Sequence, residues 1–295
     1  MIIYIDDPSV WFFTLRSLFK KNDEKPWDTP ALLVGQFPTL KKTPLGLSPS
    51  SPSRHAPYQQ LVCGVGRTRG RRSYMEDVDF QFSDINISDN CRVSVYGVLD
   101  GHGGSDCAQF VSEELPTKLT IELRAKRPAA EALFSSFLKT DDEFMSVASD
   151  SQAGCTATVC VWDGYNNIGY VANAGDTRAV LCRDGKALDL TVDKKATDPS
   201  EISRIIREGG FVSNGRVMGS LAVSRAMGDA SLKHTQKRIL IPDPEVTSFC
   251  YEPLKGDEFM ILATDGLWDV VSSQVAVDMV KEQFEKHDIS IGMCG

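Results

Sequence analysis

From Gln60 onward, short apolar runs alternate with amphipathic stretches and tight turns. Arg92–Leu99 and Phe259–Thr264 are near-continuous apolar runs of strand length, which predicts buried strands, and each runs straight into an Asp-Gly pair. Thr156–Trp162, Ile168–Ala174 and Ala179–Cys182 predict three further strands. Turn pairs at Asp163-Gly164, Gly175-Asp176 and Asp184-Gly185 punctuate them, the pattern of an antiparallel meander.

Helical spacing links Ala108, Val111, Leu115 and Leu119, with Pro116 expected to bend or interrupt that helix. A second helix is predicted over Ala129–Met145. A third is punctuated at both ends: Asp198 as N-cap, Pro199 at the first helical position, and Gly209-Gly210 as the stop. Ile202, Ile205 and Ile206 would form its apolar face. Strands grouped apart from helices, with no strict strand-helix alternation and no internal repeat, predict an α+β fold: a central antiparallel β-sandwich flanked by α-helices.

The start of the chain reads differently. Eight of the fourteen prolines fall within the first 57 residues, together with the run Leu47-Ser-Pro-Ser-Ser-Pro-Ser53. Residues 1–59 are therefore expected as a poorly ordered extension and residues 60–295 as the folded domain. Within the extension, Trp11, Phe12, Leu15, Leu18 and Phe19 lie close to helical spacing beside Arg16, Lys20 and Lys21. Such a segment suits docking at a membrane surface, or covering an apolar patch of its own chain.

Composition narrows the function. Of the 295 residues 42% are hydrophobic and 24% charged, the proportions of an ordinary globular protein. The net charge of −8 and the lack of a basic stripe argue against nucleic acid as a partner. Eight scattered cysteines form no Cys-x-x-Cys pair and no zinc-spaced cluster with histidine. With neither a secretory signal nor a long apolar run, the chain is expected in the cytoplasm, with the nucleus open to it, with reduced thiols and as a monomer.

The chemistry-bearing residues are carboxylates. Arg72-Ser-Tyr-Met-Glu76-Asp77, Asp100-Gly-His-Gly-Gly104, Gly175-Asp176-Thr-Arg178 and Asp265-Gly-Leu-Trp-Asp269 set acidic groups at turns and strand ends. A lone Asp-Gly is usually a turn. Here two such pairs end buried strands, and unpaired buried carboxylates cost several kcal/mol unless a positive group neutralises them. Few basic residues stand near these motifs, so a cation site is the economical answer. Ligands made only of oxygen suit magnesium or manganese, and no EF-hand spacing points to calcium. Gly101, lacking Cβ, would let its own carbonyl approach an ion.

In chain order the motifs are Arg-x-x-Met-Glu-Asp at Arg72–Asp77, Asp-Gly-His-Gly-Gly at Asp100–Gly104, Gly-Cys-Thr-Ala at Gly154–Ala157 and Gly-Asp-Thr-Arg at Gly175–Arg178. Gly-Ser-Leu-Ala-Val-Ser-Arg-Ala-Met-Gly-Asp at Gly219–Asp229 and Asp-Gly-Leu-Trp-Asp at Asp265–Asp269 follow. This series, over roughly residues 60–285, resembles the PPM (type 2C) metal-dependent serine/threonine protein phosphatases. The resemblance implies that Asp100 bridges two Mn2+ or Mg2+ ions, that Gly101 lends a carbonyl, and that Glu76 and Asp265 add carboxylates. It implies that Asp77 orients metal-bound water, and that Asp176, Asp265 and Asp269 belong to a third, weaker metal site. Arg72 matches the phosphate-binding arginine, whose planar fork suits two phosphate oxygens.

The implied reaction is in-line hydrolysis of phosphoserine and phosphothreonine on proteins, by hydroxide bridging two ions roughly 3.5–4 Å apart. His102 would protonate the departing oxygen. No Cys-x5-Arg loop is present, which agrees with a route that needs no phosphoenzyme. His55, His234 and His287 lie outside the motifs and read as solvated surface groups. Gly219–Asp229 reads as a structural segment, with Asp229 supporting the metal shell without ligating.

Two departures stand out. Asp193-Lys-Lys-Ala196 replaces the Asp-His-Lys-Pro that relatives often carry, and the sequence given does not include the Asp-Asn pair and final core strand with which relatives end. The rival expectation is a pseudophosphatase that binds phosphoproteins through an impaired metal site. A nucleotide-binding α/β protein is discounted, because neither Gly-x-Gly-x-x-Gly nor a P-loop is present.

Overall fold

Along Cys91–His102 successive side chains point to opposite faces and both sets are buried: Val93, Val95 and Leu99 join one core, Tyr96 and Val98 another. Phe259, Ile261 and Ala263 alternate in the same way with Met260 and Leu262. A strand covered on both faces reads as an unbroken apolar run. That is why these two segments stand out in the sequence. The computed structural model describes residues 2–5, 61–70, 72–88, 91–233 and 238–286. The amphipathic stretch at 11–21 and His55, His234 and His287 lie outside them.

The strands in chain order are β1 (Ile2–Ile5), β2 (Val62–Val65), β3 (Val78–Ser88), β4 (Cys91–His102), β5 (Gly154–Asp163), β6 (Ile168–Ala174), β7 (Arg178–Arg183) and β8 (Lys186–Asp189). They continue as β9 (Val212–Ser213), β10 (Arg216–Val217), β11 (Met227–Gly228), β12 (Glu245–Cys250) and β13 (Asp257–Ala263). One antiparallel sheet has the order β12-β6-β5-β4-β3, with β11 pairing the start of β5. The other has the order β2-β1-β13-β7-β8, also antiparallel. A small hairpin, β9 with β10, stands apart.

Between the sheets lie Tyr96, Val98, Cys160, Trp162 and Val171 from one and Ala179, Leu181, Met260 and Leu262 from the other. Helices α1 (Asp106–Arg124) and α2 (Ala129–Val147) cover the outer face of the first sheet, packing Val111, Leu115, Leu119, Leu133 and Phe137 on Val95, Leu99 and Val159. Helix α6 (Ser273–Lys286) covers the second with Ala276, Val277, Val280 and Phe284. The result is the flanked sandwich expected. Among the described residues no helix is long and apolar enough to cross a membrane.

Three local expectations change. Helix α1 runs through Pro116. A proline inside a helix costs about 3 kcal/mol, while buried Val111, Leu115 and Leu119 around it each contribute about 1.5–3 kcal/mol. In α3 (Pro199–Arg207), Asp198 caps as predicted, accepting from the Ser200 N–H at 2.7 Å. Ile206 is exposed, however, and Glu201 takes the buried face beside Ile205, held by Arg204 and Arg225. Finally, residues 2–5, read with the extension, pair as β1 between β2 and β13. Ile2-Ile-Tyr-Ile5 has high strand propensity, which the proline-rich stretch beyond it obscures. β13 is thus paired on both sides, by β1 and β7.

Candidate metal centre

The site lies where strands of both sheets end. The last residues of β4, Asp100, Gly101 and His102, are held in register opposite Thr156, Cys155 and Gly154 of β5. Asp265 begins the short helix α5 (Asp265–Trp268) directly after β13. Asp176 sits in the turn between β6 and β7, where Gly175 takes a φ of 115° and a Cβ would meet the Thr156 side chain at 2.4 Å. Carboxylate oxygens of Asp100, Asp176 and Asp265 all lie within 4.8 Å of one another.

The segment carrying Glu76 and Asp77 is strapped to this cluster. A Cβ on Gly101 would meet the Glu76 carbonyl oxygen at 2.4 Å, so only glycine permits this approach. The Glu76 carboxylate accepts from the Gly104 N–H at 2.8 Å. The Thr264 hydroxyl donates to Asp77 at 3.0 Å, which ties the segment to the end of β13. Arg72, four residues before Glu76, is exposed, and no acidic side chain among the described residues forms an ion pair with it. Its guanidinium is available to an incoming anion.

So many carboxylates at close range disturb one another. Burial pushes the Asp100 carboxyl up to about 9, and the charges of Asp265, Asp77 and Asp176 add to the effect. Burial also raises Asp176 to about 6, with Asp265 adding and Lys195 opposing. Asp77 is raised by burial and by Asp265 and Glu76, against the Thr264 hydrogen bond. The donor set is all oxygen, partly buried and mutually repelling, which fits a hard divalent cation.

A test follows for the protein stripped of metal. Because Asp100 and Asp176 titrate above their unfolded value of about 4, the folded state holds more protons between there and about 9, so stability falls as pH rises. The thermal midpoint in chelator should drop between about pH 5 and about pH 8, and added Mg2+ should restore more at the higher pH. A midpoint flat across that window would contradict the cluster.

Asp269 is placed differently from the trio: it is exposed and pairs with Lys195 at 3.1 Å. Lys195 belongs to the stretch that departs from the family pattern, and all three of its charged residues are engaged. Asp193 clamps Arg178 through two bonds of 2.9 and 2.7 Å, Lys194 pairs with Glu245 at 2.6 Å, and Lys195 holds Asp269. Arg178 also lies 5.2 Å over the Trp268 ring. Asp229 meets His102: both its oxygens lie 2.9 Å from Nε2.

A two-sheet α+β sandwich with converging carboxylates at its strand ends suits a metal-dependent hydrolase of phosphate esters. The family model described as protein phosphatase 2C matches residues 61–292. The chain belongs to the protein phosphatase 2C family and is a metal-dependent serine/threonine protein phosphatase. Protein phosphatase 2C 1 of Paramecium tetraurelia is 37% identical over 241 residues, covering 75% of this chain and 78% of its own. Protein phosphatase 2C homolog 2 of Schizosaccharomyces pombe is 40% identical over 232 residues, covering 75% of this chain and 62% of its own. The serine-threonine phosphatase 2C of Toxoplasma gondii superposes with a TM-score of 0.57 at 24% identity, covering 71% of this chain and 84% of that one, a likeness of fold.

Proposed function

We propose that the centre holds two Mg2+ or Mn2+ ions through Asp100, Glu76, Asp265 and the Gly101 carbonyl, with Asp77 orienting water beside them. The convergence of Asp100, Asp176 and Asp265 within 4.8 Å carries this reading. Asp176 joins Asp265 at a weaker third site, which Asp269 enters only by releasing Lys195. When bound, such ions acidify water and neutralise charge growing on the phosphoryl oxygens. Arg72 receives the phosphate, with no acidic partner among the described residues to compete for its fork. His102, partly exposed at the end of β4, protonates the seryl or threonyl oxygen as it leaves. The substrates are phosphorylated proteins.

Two measurements test this. Excess chelator should abolish turnover and Mn2+ or Mg2+ should restore it; full activity in chelator would sink the metal reading. His102→Ala should lower turnover of a phosphothreonine peptide about 100-fold, yet that of p-nitrophenyl phosphate far less, since a good leaving group needs little protonation. Equal losses on both would remove His102 from its role.

A further inference from the structure

We infer that Asp229 is a positioning residue for the phosphatase reaction: its carboxylate grips Nε2 of His102, orients the ring, and leaves Nδ1 as the nitrogen that serves the leaving oxygen. The inference rests on the reading of His102 as the acid. An ionised carboxylate only accepts hydrogen bonds, so Nε2 must carry the hydrogen it shares with the two Asp229 oxygens, each 2.9 Å away. Which nitrogen of an imidazole is left to act is set by the bond the other makes.

The surroundings are built for this contact. The Asp229 side chain is 8% exposed, whereas the His102 side chain keeps 29%, so the pair has an anchored end and an open end. The backbone holds Asp229 without help from its carboxylate: its N–H donates to the Ala153 carbonyl at 3.0 Å. Asp229 also adopts a φ of 58°, a left-handed conformation that aspartate and asparagine tolerate better than most side chains. Opposite it, a Cβ on Gly154 would meet Asp229 Oδ2 at 2.1 Å and His102 Nε2 at 2.5 Å. Glycine is the one residue at 154 that leaves room for the pair. Three separated segments, the end of β4, the start of β5 and the turn after β11, thus converge on one hydrogen bond.

The test uses the full chain with saturating Mg2+ and compares Asp229→Asn, His102→Ala and the double variant on a phosphothreonine peptide and on p-nitrophenyl phosphate. Asparagine keeps the shape and the backbone conformation while weakening the grip on the ring. Asp229→Asn should lower kcat on the peptide about 10–100-fold and on the aryl ester far less. The double variant should be no slower on the peptide than His102→Ala alone. The Mg2+ concentration for half-maximal activity should not move. Equal losses on both substrates, losses that add to those of His102→Ala, or a shifted Mg2+ requirement would overturn the inference, the last pointing to the metal shell. Those outcomes leave the acid role of His102 intact. Equal losses from His102→Ala itself would remove that role and this inference with it. If Asp229→Asn does not fold, nitrogen NMR of the wild-type Mg2+ form decides: Nε2 should carry a hydrogen, and a bare Nε2 would overturn the assignment.

Discussion

Asp100→Asn is expected to lower kcat/KM by about 1,000-fold or more while raising the stability of the metal-free protein. The two effects have one cause. Burial first, and then the charges of Asp265, Asp77 and Asp176, oppose ionisation of Asp100 in the absence of a cation. Asparagine keeps the volume and has no proton to take up, so the metal-free fold is freed of the cost of a carboxyl that burial and its acidic neighbours force to stay protonated. The Asp100 charge is needed when divalent ions bind, and their stabilisation of the reaction is worth several kcal/mol, at about 1.4 kcal/mol per tenfold in rate. Activity against Mn2+ concentration, together with thermal midpoints in chelator, checks both signs. A variant that loses activity and stability together would show a folding defect, and one that keeps activity would show that Asp100 is dispensable.

The parts of this molecule legible in its sequence are those where one physical demand dominates. β4 and β13 are buried on both faces, so their apolar runs are unbroken, and an Asp-Gly pair at the end of each exposes its oddity. Asp198, Pro199 and the following glycines mark α3 because capping is local chemistry. β3 was not visible. Its burial is partial, and the ladder to β4 shifts register between Phe82 and Ile85, where Asp84 takes a φ of 60°. β12 is exposed along much of its length and offers little pattern. In the site, Asp100, Asp176 and Asp265 could be picked out one by one, yet their meeting belongs to the pairing of strands. The contact of His102 with Asp229 spans 127 positions of chain. Nothing local announces it except an aspartate closing a run of small residues, and the same holds for the Thr264 hydroxyl on Asp77.

Asp141→Ala should be among the most destabilising single changes outside the metal centre, at about 3–5 kcal/mol, a drop of roughly 10 °C in thermal midpoint. Asp141, on α2, is buried and accepts from Lys233 of α4 (Ala230–Lys233) at 2.7 and 2.8 Å, and from the Gly228 N–H at 2.7 Å. Burial pushes its carboxyl above the usual range even against the pull of Lys233. Intact, the pair therefore adds little net stability. Broken, it leaves a buried ammonium whose remaining partner among the described residues is the Ala226 carbonyl, 2.8 Å away. Replacing both partners, Asp141→Leu with Lys233→Met, should recover most of the loss, leaving about 1–3 kcal/mol for the orphaned Gly228 N–H. Gly228 precedes Asp229, so the single change should also cost more turnover on a phosphothreonine peptide than on p-nitrophenyl phosphate. Thermal midpoints of the two variants decide the matter: if Asp141→Ala melts within about 2 °C of the wild type, no buried ion pair joins α2 to the turn that carries Asp229.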